Sequence, residues 1–360
     1  MTQYFSDKIR VLSFFCILFV LYAHSMFHDY PNEIQGMTFN LLLQEFIGKI
    51  RCGAVPLFFA ISGYLYFRNI DVKAGRRECY GAVWTKMKKR CRTLVVPYII
   101  ACLFPVAFYL VLEQVPAAQP FINNGGGFSE NFSKTVPELL YFIYVDSGNG
   151  SPYAFQLWFL RDLIVIVALS PIILMFKRLG NRGGYCLLAI LFVVNTALPQ
   201  MPVLFGMFWF LFGDCFLSRL SKVNAWPVLI VFIALCVAET FYPAGWWKYV
   251  KMVLLMLGLT AIWTMYDKIV PQTFQLSNYA WLGTACSYTF FIYLYHMPTM
   301  NVIRKLIVLP FGHTSFGFAF AFLVTPLVFA AIWILVGMAF RRLLPGVYAV
   351  CMGGRTEKHR

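Results

Sequence analysis

Three features of this 360-residue chain predict an all-α, polytopic membrane protein with about ten transmembrane helices and both termini in the cytoplasm. Hydrophobic residues make up 60% of the chain and charged residues only 12%, about half the charged share of a soluble domain. Apolar runs approaching the ~20 residues needed to cross a bilayer recur along its length. Lys and Arg, finally, segregate between alternate connections.

The spans follow from hydropathy. The first covers about 10–28 and opens after Lys8 and next to Arg10. Ala23-His24-Ser25 at its end also fits a leader-peptide cleavage site. The chain beyond is itself membrane-embedded, so the segment is read as the first helix. An amphipathic piece, Phe39–Ile50, precedes a second span at 53–68. A basic loop from Arg68 to Arg92 leads to the third, 93–113. Residues 116–135, with Asn123-Asn124-Gly125-Gly126-Gly127, read as a loop. Residues 136–145 are apolar but too short to cross, and read as interfacial or re-entrant. Further spans are expected at 155–176, 184–200, 203–218, 225–241, 249–266, 286–303 and 316–340. The membrane domain is drawn as 1–345 and a basic cytoplasmic tail as 346–360.

Charge separation tests this topology. With the N-terminus inside, 22 Lys and Arg lie on the cytoplasmic side and 7 outside, and Arg161, within a span, completes the 30. That bias obeys the positive-inside rule and explains the net charge of +15 without a nucleic-acid partner. Ten cysteines show no CxxC pair, so neither a disulfide framework nor a metal site is expected.

Ionisable groups inside spans are the functional candidates. His24 lies towards the far end of the first helix. At ~100° and ~1.5 Å per residue, Arg10 shares its face to within ~40°, ~21 Å away. The same spacing fits an interfacial arginine and a packed histidine. His28 and Asp29 read as loop residues. In the second span, Ala60, Ser62 and Gly63 admit close approach of a neighbouring helix or of a ligand. Arg161 and Asp162 in the fourth span, and His296 beside Pro298 in the ninth, ask for polar partners and serve either an acceptor or the bundle. A kink is expected at Pro298. Glu138 and the Gly/Asn loop face outside in this topology.

Five ordered stretches resemble the acyltransferase 3 family of integral-membrane acyltransferases. They are FVLYAHS (19–25), VPLFFAISGYL (55–65), KRCRTLVVPY (89–98), LWFLRDL (157–163) and SYTFFIYLYH (287–296); the resemblance covers residues 8–298. The family places an arginine eleven residues before the first-helix histidine, where this chain has Ser13. Arg10, one turn earlier, stands nearest to that place.

The resemblance implies transfer of an acyl group, expected to be acetyl from acetyl-CoA, to a hydroxyl of a sugar or cell-surface glycan, free or lipid-linked. It implies His24 as the catalytic base. Donor binding is expected at Arg10, Lys89, Arg90 and Arg92, with Lys8 and Lys86 nearby, because the donor carries several phosphates. Ser62, Gly63 or Arg161 would meet the charge that develops on the thioester oxygen. Arg161, Asp162 and His296 are expected on the acceptor side or in structural roles. Acetyl-CoA is a co-substrate; no bound cofactor, metal or nucleic acid is expected, and the expected location is the bacterial inner membrane, in contact with lipid. Two other readings keep the same architecture: a transporter or flippase of an acyl or lipid-linked substrate, and a non-catalytic partner subunit. Loss of activity on replacing His24 separates the enzyme from both.

Overall fold

The computed structural model describes residues 2–27, 37–116, 127–198, 201–242 and 244–354, and within them the chain is helical with no strand. The helices are α1 (Gln3–His24), α2 (Met37–Ile50), α3 (Ala54–Phe67), α4 (Arg76–Arg90), α5 (Val96–Glu113), α6 (Val136–Tyr144), α7 (Trp158–Ala168), α8 (Ser170–Arg178) and α9 (Asn181–Ala197). They continue as α10 (Pro202–Leu220), α11 (Ala225–Phe241), α12 (Trp247–Ile269), α13 (Ala280–Ser287), α14 (Thr289–Tyr295), α15 (Thr299–Val308), α16 (Ser315–Leu343) and α17 (Pro345–Cys351).

Five helical runs among the described residues are long and apolar enough to cross a bilayer: Thr38–Phe67, Arg76–Glu113, Pro202–Leu220, Trp247–Ile269 and Ser315–Leu343. The α7–α8 pair, bent by 51°, adds a sixth if it counts as one span. Two shorter apolar helices are Arg182–Ala197 and Ala225–Phe241. The chain is an integral membrane protein. At ~1.5 Å per residue α1 is also of spanning length, but Asp7, Lys8 and Arg10 sit in its first turns.

Several expectations change. Most of the basic loop expected over 68–92 is helix: α4 runs into α5 through a π-turn, Cys91–Val95. Lys, Arg and Met are good helix formers, so a polar stretch with a single glycine stays helical although hydropathy reads it as a loop. Pro97 has no N–H to donate and stands at the first turn of α5, just after the π-turn, where its missing donor costs least. The amphipathic piece at 39–50 joins α3 through one 3-10 turn, Arg51–Gly53. The fourth span breaks after Ala168, and the ninth becomes three helices. The segment expected as a tail from 346 begins as α17, whose Tyr348 ring lies 5.6 Å from Phe340 and 6.1 Å from Phe291. Residues 355–360 of that tail, Asn123–Gly126 of the glycine loop, and His28 and Asp29 lie outside the described residues.

The chain packs as two compact units. The first comprises residues 1–23, 38–89 and 162–287. Its tightest contact joins α3 and α10. A Cβ at Gly63 would overlap the backbone carbonyl of Phe210, and one at Gly213 the carbonyl of Ala60. Phe59, which lies against Gly206, and Trp209 and Phe210 of α10 are fully buried in this unit, where close packing rather than transfer from water holds membrane helices together. Lys8 joins Asp267 at 2.6 Å, Lys49 joins Glu239 at 3.0 Å, and Lys177 pairs with Asp214. The second unit comprises residues 24–37, 90–161 and 288–360. It holds α5, α6 and α14 to α17, with His24 at the end of α1.

Candidate active site

The break between α14 and α15 organises the site in the second unit. Pro298 has no N–H, so α14 cannot run on, and its last four carbonyls lose their helical donors. Inside a membrane protein such groups must find partners within the chain. They do. His296 Nδ1 lies 2.9 Å from the Tyr293 carbonyl and 3.3 Å from that of Ile292. Gln156 donates Nε2–H to Met297 O at 3.3 Å and Leu294 O at 3.5 Å. Thr299 donates its hydroxyl to Tyr295 O at 3.2 Å and His296 O at 3.0 Å. Three side chains thus close the open end, and the Tyr293 hydroxyl donates back to Gln156 O at 3.3 Å.

This fixes the chemistry of His296. A carbonyl only accepts, so Nδ1 carries the proton; in the neutral ring Nε2 is then the basic nitrogen. Nε2 is buried and has no hydrogen-bond partner among the described residues. The residue is 0% exposed.

His24, the last residue of α1, brings its ring to 5.2 Å from that of His296, the planes inclined at 39°. Phe155 meets His24 edge-on at 5.3 Å. The backbone beyond His24 is pinned: Ser25 donates its hydroxyl to Phe322 O at 3.3 Å and Arg304 donates to Met26 O. The Arg304 guanidinium also lies 4.7 Å over the Phe27 ring. His24 is half-buried, beside the fully buried ring of His296.

The structure therefore brings together two of the residues singled out from sequence, His24 and His296. Gln156, Thr299 and Arg304 were missed. A proline inside an apolar run does signal carbonyls in need of donors, and Thr299 stands next to it; nothing local marks Gln156 or Arg304.

The other candidates divide between the units. Arg161 donates to Val145 O at 2.7 Å and Gly150 O at 2.9 Å, and so ties down the loop after α6. Glu138 forms a capping box with Thr135 at the start of α6, with Thr135 N and Oγ1 donating at 2.9 and 2.7 Å; a helix cap accounts for it. Asp162 is buried in the first unit. Gly63 is accounted for by the α3–α10 contact, with Ser62 half-buried beside it. Arg10 is half-buried in the first unit, and Lys89 is exposed at its boundary. Arg90, half-buried, and Arg92, exposed, belong to the second. Lys8 corrects the expectation of a donor-binding cation. It is 1% exposed, paired with Asp267 and 3.9 Å over the Trp263 ring, so its charge is neutralised within the packing. Lys86 donates to the Tyr66 carbonyl. Among the described residues no three His, Cys, Asp or Glu side chains gather as a metal site would need.

No solved structure matches the chain. It is 25% identical over 380 residues, 99% of this chain and 94% of the relative, to the succinoglycan biosynthesis protein ExoH of Rhizobium meliloti (strain 1021). The acyltransferase-domain profile of the acyltransferase 3 family matches residues 7–337. With a family profile covering nearly its whole length and two histidines facing each other beside a helix break, this chain belongs to the acyltransferase 3 family and is an acyltransferase.

Proposed function

We propose that this chain is a multi-pass inner-membrane O-acyltransferase that moves an acetyl group from acetyl-CoA to a hydroxyl of a cell-surface polysaccharide. The observation that carries this reading is His24, half-buried at the end of α1 with its ring 5.2 Å from His296. A sugar hydroxyl is a poor nucleophile until its proton is removed, and a neutral imidazole suits that task near pH 7. His24 takes the hydroxyl proton as the oxygen attacks the thioester carbonyl. The new C–O bond forms, the C–S bond of the collapsing intermediate breaks, and the proton passes from His24 to the departing thiolate. No cofactor beyond the co-substrate enters these steps. The polysaccharide acceptor is suggested by the relative named for succinoglycan biosynthesis.

Arg90 and Arg92, at the end of α4 and in the π-turn, are the groups of the second unit proposed for the phosphates of acetyl-CoA. In this reading there are ten crossings with both termini cytoplasmic. Each of the ten apolar stretches overlaps helix among the described residues, the fourth as two helices and the ninth as three, and the 22-to-7 bias of Lys and Arg supports the orientation.

The test is acetyl transfer from radiolabelled acetyl-CoA to glycan by membranes carrying wild type or His24→Ala. Removal of a general base is expected to lower the rate by about 10²–10⁴-fold. Equal labelling by both would remove His24 from catalysis. Label in neither, with folded protein and acceptor present, would favour transport or a partner-subunit role.

A further inference from the structure

We propose that His296 sets the tautomer of His24, acting as a hydrogen-bond acceptor that makes one nitrogen of His24 the base. This rests on the reading of His24 as the general base and adds to it the residue that orients that base.

The argument starts from proton count. His296 has one N–H when neutral, and that N–H is engaged by the carbonyls of Tyr293 and Ile292. Nε2 is left as an acceptor and nothing else. It is sealed from water and has no hydrogen-bond partner among the described residues, a costly state for a buried nitrogen unless a donor arrives. The His24 ring stands 5.2 Å from that of His296. In a head-to-head N–H···N bond of ~2.9 Å, with each nitrogen ~1.1 Å from its ring centre, the centres lie ~5.1 Å apart. The two rings already have that separation, and a modest rotation closes the bond when substrate fills the site. A neutral His24 that donates through one nitrogen presents the other unprotonated. A base oriented by a third group is the general form of an activated nucleophile site, with a histidine in the place usually held by a carboxylate. A neutral acceptor suits this position, because a buried carboxylate would need further donors to be stable.

The anchor is equally specific. Because Nδ1–H is tied to two carbonyls that exist only where α14 stops, His296 can neither flip nor exchange its tautomer without breaking the cap. His296 is therefore a positioning residue whose own orientation comes from the helix break.

Two substitutions separate positioning from mere cap filling. Asparagine places an N–H donor near the position of Nδ1 and keeps the cap, but has no acceptor at the position of Nε2. Glutamine places an amide oxygen near Nε2 and gives up the cap. The experiment measures acetyl transfer and the ¹⁵N shifts of the histidine rings in full-length His296→Asn, His296→Gln and wild type. Expected is a kcat lower by ~10²-fold or more for Asn with KM changed little, recovery to within ~10-fold of wild type for Gln, and a His24 ring that goes from one tautomer to a mixture only in the Asn variant. An active Asn variant with an inactive Gln variant, or a His24 tautomer indifferent to both, would overturn the proposal. The ring shifts are read without turnover, so they decide this point even if His24→Ala shows that the base lies elsewhere.

Discussion

The two units hold their buried ionisable side chains differently. In the first, charges neutralise one another: Lys8 with Asp267, Lys177 with Asp214, Lys49 with Glu239. Asp267 also accepts from the Tyr4 hydroxyl at 2.9 Å, and Asp7 accepts from the Leu276 amide at 3.0 Å. In the second, the polar groups of the helix break satisfy all four carbonyls and still leave His296 Nε2 with no partner. An ion pair that closes on itself holds helices together. A basic nitrogen held in place and left open is ready for chemistry. Unpaired buried atoms also occur in the first unit, at the Trp209 and Trp263 indole nitrogens and the Tyr266 hydroxyl, so neither buried charge nor incomplete pairing alone singles out a candidate site; an open basic nitrogen beside a second imidazole does.

The largest effect that sharpens this contrast is on stability. Lys8→Met leaves Asp267 in the packing without its cation, and breaking a buried pair from one side costs about 3–5 kcal/mol. The double variant Lys8→Met/Asp267→Leu is expected to regain most of that loss, because both desolvation penalties go together. Thermal unfolding in detergent reads both, and acetyl transfer per folded molecule is expected to stay near wild type. A single variant as stable as wild type, or a double variant as weak as the single, would mean that the pair is not a closed structural unit.

Gln156→Leu acts from the other side of the contrast. It removes the donor to Leu294 O and Met297 O without changing charge. Leaving buried carbonyls unsatisfied costs roughly 1–3 kcal/mol, and here both flank His296. A fall in kcat is expected beside the fall in stability, whereas the Lys8 variant shows only the latter. Gln156→Leu with wild-type kcat would show that the break tolerates loss of its cap, and would weaken the case for His296 as a fixed group.

Much of this was legible in the sequence. Apolar runs located α1, α5, α10, α11, α12 and α16, because a bilayer solvent writes its thickness into composition. Histidines inside such runs drew attention to His24 and His296, and Pro298 foretold the break. Pairings between distant residues were hidden. Lys8 reads as an interfacial anchor until Asp267, 259 positions away, is seen 2.6 Å from it. The helix over 76–90 was hidden because hydropathy reports solvent preference rather than backbone state. The role of Gly63 was undecided because close approach serves a ligand and a helix equally; only the backbone of Phe210 chose between them.

The smallest expected effect concerns the loop that leads into Phe155 and Gln156. Asp146 Oδ1 accepts from the amides of Gly148 at 2.9 Å and Gly150 at 2.8 Å. Both glycines have positive φ, 104° and 76°, where a side chain would be strained. The Gly148 amide, then those of Gly150 and Asn149, with the Arg161 charge, holds this carboxyl below the usual aspartate range. Its folded value is thus lower than its unfolded one, so the ionised form is favoured by the folded loop. That contribution is complete above the unfolded value, ~3.9, and is lost as pH falls through the lower folded value. The group is exposed, so the effect is local rather than global. Amide exchange at Gly148 and Gly150, corrected for intrinsic rates, is expected to quicken as pH drops below ~4, and Asp146→Asn is expected to flatten that response. Exchange in wild type that ignores pH across this window would show that Arg161, through Val145 O and Gly150 O, holds the loop without the carboxylate. The approach to Gln156 would then depend on one side chain where the structure shows two.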